Sequence, residues 1–335
     1  MRNFKKKLKT GIRKLGGAGV FAGILLCILL FLSQGVVRLV KEDAGLLLEG
    51  DKSIAGIQGE KENTIDVLVV GDSESYTTVS PMQLWQQQGI TAYVCGKPGQ
   101  KIQESYYTLK MAFKTQSPKV VLLETNVIYR YEGEMEGIQT LLSELRSYYF
   151  PVFRFHDIWK PLLSGERYQE EEYKGFQIRT GVKPYRNGSY MKKTTEQKKI
   201  EKMNLHYLDK IIGLCRKKGA DLLLYSGPSP VNYDFEKHNG LTAFAKEKKL
   251  TYLDLNLEEL GINWETDTAD KGDHLNLSGA EKVTRHLGEF LAESRELPDR
   301  RGMEGFEEWD ENAEKFAREA GPKLLKIRSG TAKKG

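Results

Sequence analysis

The stretch Asp66-Val-Leu-Val-Val-Gly-Asp-Ser-Glu-Ser75 is an apolar run that ends in a glycine, directly before Asp72 and Ser73. A short apolar run bounded by turn residues is typical of a buried strand, and here it predicts a strand over 65–70. In open α/β sheets, ligands bind at the carboxyl ends of the strands, which is where Ser73 would lie. Ser73 is therefore a candidate nucleophile, although Gly-Asp-Ser by itself is also ordinary turn chemistry.

Strands and helices alternate on both sides of this stretch. The patterns predict strands at 65–70, 90–94, 119–124, 221–226 and 250–255, and helices near 101–113, 196–218, 235–248 and 280–294. Such alternation predicts an α/β fold, a three-layer wound parallel sheet of the flavodoxin-like kind. A segment at about 129–193, rich first in aromatic residues and then in charge and glycine, interrupts the rhythm and is interpreted as an insertion that covers a site.

The amino-terminal segment predicts a membrane anchor. No charged residue occurs from Leu15 to Val37, and these 23 residues, rising about 1.5 Å each in a helix, span the ~30 Å hydrocarbon layer. Seven basic residues precede them, which predicts a cytoplasmic amino terminus and an extracytoplasmic remainder. The alternative is a cleaved signal peptide, which the length of the run and the lack of a small-x-small site disfavour.

These observations divide the chain into five parts. The predicted parts are a basic cytoplasmic segment (1–14), a transmembrane anchor (15–37), a glycine-containing stalk (38–62), the α/β domain (63–295) and a charged, disordered tail (296–335). The formal net charge of +5 comes from the first part, so the remainder is near neutral or slightly acidic. That balance gives no reason to expect a nucleic-acid partner.

A candidate base for Ser73 lies near the other end of the domain. A serine hydroxyl is a poor nucleophile until a base takes its proton, and an imidazole does this best when a carboxylate fixes its tautomer. His274 precedes the last predicted helix, and Asp270 and Asp273 lie within four residues of it. In a wound parallel sheet the turns that carry Ser73 and His274 can open at the same edge.

The order and spacing of these blocks resemble the SGNH or GDSL hydrolase family. The first block is Gly71-Asp72-Ser73 and the last is Asp270-Lys-Gly-Asp-His274-Leu-Asn276, so the resemblance covers about residues 63–295 and is carried by its two ends. The resemblance implies an SGNH-like fold, with Ser73 as nucleophile and His274 as base in ester hydrolysis or acyl transfer. It implies neither a metal ion nor an organic cofactor, and the sequence contains no metal-ligand spacing.

The other site residues depart from the family pattern. The family acid usually lies three residues before the histidine, where this chain has Lys271, so Asp270 is the favoured acid and Asp273 the alternative. The resemblance implies an oxyanion hole formed by the Ser73 amide, a glycine amide after the second strand, here Gly99, and an asparagine after the third strand, here Asn126. Arg130 is interpreted as an ordinary surface residue rather than as a substrate contact.

The resemblance is more specific for membrane-anchored members. These look like the D-alanyl transfer protein of teichoic acid modification and like alginate acetylation proteins, which implies an acylated envelope glycan or teichoic acid-like polymer as substrate. It also implies a multi-pass membrane O-acyltransferase as a partner. Two alternatives stay open: a non-catalytic module that keeps the fold and holds a glycan in the cleft, and an anchored assembly protein whose charged tail recruits partners.

Overall fold

The computed structural model of the protein describes residues 2–47, 49–167 and 173–331. Its centre is a parallel sheet with the strand order β2-β1-β3-β4-β5. The strands are β1 (Val67–Gly71), β2 (Ala92–Gly96), β3 (Val120–Glu124), β4 (Asp221–Ser226) and β5 (Thr251–Asp254). Val67 of β1 is in register with Ala92 on one side and Val120 on the other, so the first strand lies between the next two.

Helices cover both faces of the sheet. They are α1 (Arg2–Glu42), α2 (Glu49–Gly59), α3 (Ser73–Thr78), α4 (Pro81–Gln88), α5 (Ile102–Ala112), α6 (Asn126–Tyr129), α7 (Glu134–Tyr149), α8 (Trp159–Ser164), α9 (Lys202–Lys218), α10 (Phe235–Lys248), α11 (Leu277–Ser294) and α12 (Glu307–Arg328). Short 3-10 turns occupy Ala44–Leu46, Pro151–Phe153 and His156–Ile158. The predicted α/β fold with a parallel sheet is therefore confirmed.

The first strand shows why its sequence is apolar without interruption. Successive side chains of a strand point to opposite faces, and both faces of this strand are buried. Leu68 and Val70 pack in the core on the side of α5 and α9, whereas Val67 and Val69 pack in the core that contains residues of α11. The two cores and the sheet between them form the three layers that the sequence predicts.

The predicted anchor corresponds to the long helix α1. Residues Gly17–Glu42 are apolar enough to cross a membrane, and only 6% of the most apolar stretch is buried within the protein. Large side chains such as Phe21 and Phe31 are exposed. By length and composition this helix is a candidate membrane span, as the sequence predicts.

The prediction of a stalk over 38–62 is wrong for its second half. Residues Glu49–Gly59 form helix α2, and Ile57 of this helix is fully buried in the core beside α5. The Ser53 hydroxyl donates a hydrogen bond to the Gly96 carbonyl, 3.1 Å away at the end of β2. The glycines and charged residues of this segment are typical of a flexible linker. The helix is nevertheless ordered, because it packs against parts of the domain that are distant in sequence.

The prediction of a disordered tail over 296–335 is also wrong for most of its length, although residues 332–335 lie outside the described residues. Helix α12 buries an apolar stripe of Trp309, Ala313, Phe316, Ala320 and Ile327 in the core. The ring of Trp309 lies 5.5 Å from that of Trp85 in α4. Composition suggests disorder because charged residues outnumber apolar ones, but the apolar residues recur at helical spacing and so form one buried face.

The insertion at 129–193 contains helices α7 and α8 and then a segment without regular structure, and its residues 168–172 lie outside the described ones. The later segment runs over the carboxyl edge of the sheet. The Gln177 amide donates to the Tyr76 carbonyl, 2.9 Å away, and the Leu277 amide donates to the Arg179 carbonyl, 2.8 Å away. We call residues 173–185 the strap, because they connect the first helix after β1 with the start of α11.

Candidate active site

Ser73 lies at the carboxyl edge of the sheet, where β1 gives way to α3. Asp72 is the N-cap of this helix, and its Oδ1 accepts a hydrogen bond from the Glu74 amide at 3.0 Å. Ser73 is the first helical residue and is half-buried. Amides in the first turn of a helix have no helical acceptor, so the Ser73 amide is available to a ligand at this edge.

His274 contacts Ser73 directly, although 201 residues separate them. Its Nε2 lies 2.8 Å from the Ser73 Oγ, which is a hydrogen-bond distance. The loop that carries His274 is held at the sheet edge, because the hydroxyl of Ser229, shortly after β4, donates to the Asp273 carbonyl at 2.8 Å. The two ends of the domain that carry the family resemblance therefore meet at one point.

Asp270, not Asp273, faces the other ring nitrogen of His274. One oxygen of Asp270 lies 2.6 Å from Nδ1 of the ring, and the other accepts a hydrogen bond of 2.6 Å from the His274 amide. The nearest oxygen of Asp273 is 3.6 Å from Nδ1. Ser73, His274 and Asp270 thus form a continuous chain of two hydrogen bonds.

Asp270 and His274 are separated by one residue more than in the family pattern, and a left-handed turn of the backbone accommodates this residue. Lys271 has a φ of 68° and Gly272 a φ of 89°, and the Gly272 amide donates to the Thr268 hydroxyl at 2.7 Å. Only glycine adopts such a φ without steric cost, and a lysine there is uncommon. These two residues turn the chain back, so that a carboxylate four residues before the histidine reaches its ring.

The charge of Asp270 is stabilised at this position. Burial raises the pKa of the Asp270 carboxyl, but the two hydrogen bonds from His274, the charge of its ring and Arg179 outweigh burial and lower it. Arg179 belongs to the strap, and its Nη1 lies 3.5 Å from Asp270 Oδ2. A carboxylate that stays ionised is suited to orient an imidazole and to stabilise the imidazolium.

The structure places the predicted oxyanion residues at the same sheet edge but in different surroundings. Asn126 is buried at the start of α6, and its Nδ2 donates to Asp72 Oδ2 at 2.9 Å. A side-chain amide has two hydrogens, so one remains for a substrate oxygen. Gly99 lies in an exposed turn with a φ of 64°, three residues beyond β2. Its role stays a prediction.

Gly96 is a second glycine that lies near Ser73. It was not among the residues predicted for the site. A Cβ atom at Gly96 would lie 2.3 Å from Ser75 Oγ and 3.1 Å from the Asp72 carbonyl oxygen. The end of β2 therefore approaches the turn that carries Ser73 so closely that a side chain at Gly96 would push the two segments apart. The available signal was its position two residues after the predicted strand 90–94, which in the structure ends at Gly96 itself.

Arg130 is a site residue rather than the ordinary surface residue that was predicted. Its Nη2 lies 2.5 Å from Asp72 Oδ2, and the Asp72 side chain is fully buried. Burial lowers the pKa of Arg130, but the charge of Asp72 and their hydrogen bond outweigh it and raise the pKa. Together with Asn126, Arg130 fixes the carboxylate that caps the nucleophile helix.

Glu74, directly after Ser73, is fully buried beside other acids. Its Oε1 accepts a hydrogen bond of 2.7 Å from Asn232 Nδ2, which also donates to Asp273 Oδ1 at 2.8 Å. Burial, followed by the charges of Asp72, Glu124 and Asp273, raises the pKa of Glu74 well above its ordinary value. Asn232 thus binds the carboxylate of Asp273, and the carboxylate that bonds to the His274 ring is that of Asp270.

One group of residues at this site has donors that could hold a metal ion. Ligand atoms of Glu74, Asp273 and His274 lie within 4.8 Å of one another. Both ring nitrogens of His274 already have partners, Ser73 at Nε2 and Asp270 at Nδ1. A metal bound there would have to replace one of these hydrogen bonds, so the arrangement favours proton transfer over metal binding.

Comparison with known proteins returned only distant structural similarity. No family model and no curated protein sequence matches the chain. A GDSL-like lipase from Bacteroides thetaiotaomicron shares 10% identity, with a TM-score of 0.37 over 72% of this chain and 97% of that one. A proposed acylhydrolase from Bacteroides fragilis shares 11%, with a TM-score of 0.39 over 74% and 97%. TesA shares 14%, with a TM-score of 0.35 over 67% and 97%.

Proposed function

We propose that this chain is a membrane-anchored serine esterase or O-acyltransferase of the SGNH kind. The observation that supports this most directly is the chain of hydrogen bonds from Ser73 through His274 to Asp270, with distances of 2.8 and 2.6 Å. Nucleophile and base within hydrogen-bond reach, with the base oriented by a third group, is the arrangement that activates a serine.

The proposed reaction has two steps. Ser73 Oγ attacks the carbonyl carbon of an ester while His274 Nε2 takes the hydroxyl proton, and the Ser73 amide and Asn126 stabilise the negative carbonyl oxygen. The tetrahedral intermediate then expels the alcohol, which receives the proton from His274, and leaves an acyl group on Ser73. In the second step water or an acceptor hydroxyl gives its proton to His274 and attacks the acyl carbon, and the Ser73 oxygen departs and takes the proton from His274. Water produces hydrolysis, and a glycan hydroxyl produces transfer.

We propose the extracytoplasmic side of the cell membrane as the place of this reaction. The support is the basic segment before the anchor, which favours a cytoplasmic amino terminus. The outer end of α1 also packs against the domain, because Val36, Val37 and Val40 contact a core cluster that includes Phe155 and Ile158. Buried contacts of this kind favour an anchor that is retained over a signal peptide that is removed.

The proposed substrate is an acylated envelope glycan or a teichoic acid-like polymer, with a multi-pass membrane O-acyltransferase as partner, as in the anchored proteins that this chain resembles. An open cleft of about 610 Å³ beside the His274 loop supports a sugar ligand. Three rings line it with centroids 5.8 to 6.3 Å apart, those of Tyr185, Tyr190 and Trp264. A Cβ atom at Gly272 would lie 3.1 Å from the Tyr185 ring, so the cleft borders the loop that carries the base.

The polar groups of this cleft suit a carbohydrate. The Tyr190 hydroxyl donates to Asn256 Oδ1 at 3.0 Å, and Asn263 also lines the cleft. The rim carries Arg186 and Glu265, whose charges compensate each other in an ion pair of 3.0 Å. Aromatic faces for the apolar face of a sugar ring, the side-chain amide of Asn263 for its hydroxyls and no excess charge are expected of a neutral pyranose site.

The proposed function is tested by covalent labelling of the full chain in detergent with a fluorophosphonate probe. We expect one adduct per chain, which peptide mass spectrometry assigns to Ser73 and not to the neighbouring Ser75. The probe reacts only with an activated serine, so a folded protein without an adduct would contradict the enzyme and favour the non-catalytic glycan-binding alternative.

Replacing Trp264 with alanine is expected to weaken glycan binding by at least about tenfold, because truncation of a tryptophan at the centre of a contact commonly costs 2 kcal/mol or more. Calorimetric titration with an N-acetylglucosamine hexasaccharide measures this. Trp159→Ala is the matched control, since Trp159 is exposed on α8 and does not line the cleft. Equal affinities for both variants, or no binding by the unsubstituted chain, would remove the cleft from the proposal.

A further inference from the structure

The junction between α1 and the domain is a built contact rather than a flexible connection. The Val152 amide donates to the Ser33 hydroxyl at 3.4 Å, and Ser33 is buried although it lies within the predicted membrane span. The aromatic segment after α7 therefore reaches the outer end of the anchor, at the level where hydrocarbon gives way to lipid headgroups.

A cavity of about 490 Å³ opens at this junction. Leu30 and Val37 give it an apolar wall, and the opposite wall carries three cations and one carboxylate, Arg38, Lys41, Lys114 and Glu42. The apolar side chains come from the membrane-spanning part of α1. The basic side chains lie on the last turn of α1 and just after α5, toward the domain.

On the domain side of this cavity Lys114 lines the wall, and Lys110 lies beside it outside the lining. Lys114 Nζ lies 4.3 Å from the ring centre of Tyr148, and Lys110 Nζ lies 4.0 Å from the same ring. Among the described residues neither lysine forms an ion pair with a carboxylate. Burial, and then the charge of a neighbouring lysine, lowers the pKa of each amine. Two adjacent cations without a counterion favour a bound anion.

The segment that packs against the end of α1 and continues into α8 exposes aromatic and large apolar side chains. Tyr149 at the cavity and Trp159 on α8 are 58% and 54% exposed, and Leu163 is 81% exposed. Tyrosine and tryptophan are enriched where a membrane protein meets the headgroups, and large exposed apolar residues on one side mark a lipid or protein contact. The cavity therefore lies where a lipid can reach it.

We propose that this cavity binds one anionic phospholipid of the outer leaflet. Its phosphate would contact Lys41, Lys114 and Arg38, and one acyl chain would lie along Leu30 and Val37. Arg38 is only partly engaged, through its Nε with Glu42 Oε1 at 2.8 Å, so its other nitrogens are free to donate. Such a lipid would fix the orientation of the domain relative to the bilayer. The inference depends on the anchor but not on the chemistry of Ser73.

The test is native mass spectrometry of the full chain in detergent, titrated with phosphatidylglycerol or with phosphatidylcholine of the same acyl chains. We expect one phosphatidylglycerol per chain to bind at least about tenfold more tightly than phosphatidylcholine. The variant Lys41→Gln/Lys114→Gln should lose this preference, because each lysine near an anionic lipid contributes about a fivefold factor in affinity. Lys160→Gln is the matched control, because Lys160 lies on α8 outside the cavity.

Three results would overturn the proposal. They are equal affinity for the two lipids, an unchanged preference in the double variant, and loss of the preference in Lys160→Gln as well. Inorganic phosphate and glycerol phosphate are titrated as a further arm, and displacement of phosphatidylglycerol by either at similar concentration would show a phosphate site without a lipid chain. Lys41→Arg/Lys114→Arg, which retains both charges, should keep the preference and so show that the glutamine variant loses it through charge and not through unfolding of the junction.

Discussion

Replacing Ser73 with alanine is expected to lower kcat for ester hydrolysis by a factor of about 10⁴ or more, because the attacking oxygen is lost while the rest of the site is retained. The Ser73 side chain makes a hydrogen bond of 2.8 Å to His274 and fills little core volume, so the substitution should leave the fold intact. Steady-state hydrolysis of p-nitrophenyl acetate by the full chain measures the change.

The control for this prediction is thermal unfolding of the same variant. We expect a midpoint within a few degrees of the unsubstituted chain, since most substitutions without a packing or network role change stability little. A folded Ser73→Ala variant that keeps activity within tenfold of the unsubstituted protein would show that another group is the nucleophile.

Replacing Asp270 with asparagine is expected to lower kcat by about 10³ to 10⁴. The asparagine is nearly isosteric, but its NH₂ group can present a donor to Nδ1, which favours the tautomer with the proton on Nε2. His274 could then no longer accept the Ser73 proton. In the structure one Asp270 oxygen lies 2.6 Å from Nδ1 of the ring and the other accepts a bond of 2.6 Å from the His274 amide, so Asp270 holds both the ring and its backbone. The same ester assay, with kcat separated from KM, gives the result.

Asp273→Asn is the matched control, since it makes the same chemical change three residues further on. Asp273 is 3.6 Å from Nδ1, and its Oδ1 accepts from Asn232. We therefore expect a loss below about tenfold, attributable to rearrangement of Asn232 and Glu74. A larger loss in Asp273→Asn than in Asp270→Asn would reverse the assignment of the acid.

Much of the fold follows from local pattern. The apolar runs that end at Gly71 and Glu124 predict buried strands, because they are short and apolar on both faces, and their alternation with helices favours parallel pairing. The predicted strand 221–226 coincides with β4, and the predicted helix 235–248 coincides with α10. These elements depend on interactions between residues that are close in sequence.

The predictions of a stalk and of a disordered tail were wrong, because amino-acid composition does not reveal apolar periodicity or packing against distant parts of the chain. Helix α12 has many charged residues, yet Trp309 and Phe316 belong to one stripe that is buried against the domain. Arg300, in the predicted tail, pairs with Asp66 directly before β1 through bonds of 2.9 and 3.0 Å. Neither contact has a local signature, because each joins residues more than a hundred positions apart.

The Gly-Asp-Ser turn and the Asp-His block are determined by the sequence alone, since each is a local motif whose neighbours place it at the end of a strand or the start of a helix. Which carboxylate serves His274 is decided only by the tertiary structure. That choice depends on the left-handed turn at Lys271 and Gly272 and on Asn232, which comes from a different loop and engages Asp273. Side-chain direction in a loop is set by contacts with other parts of the chain, and spacing along the sequence does not contain that information.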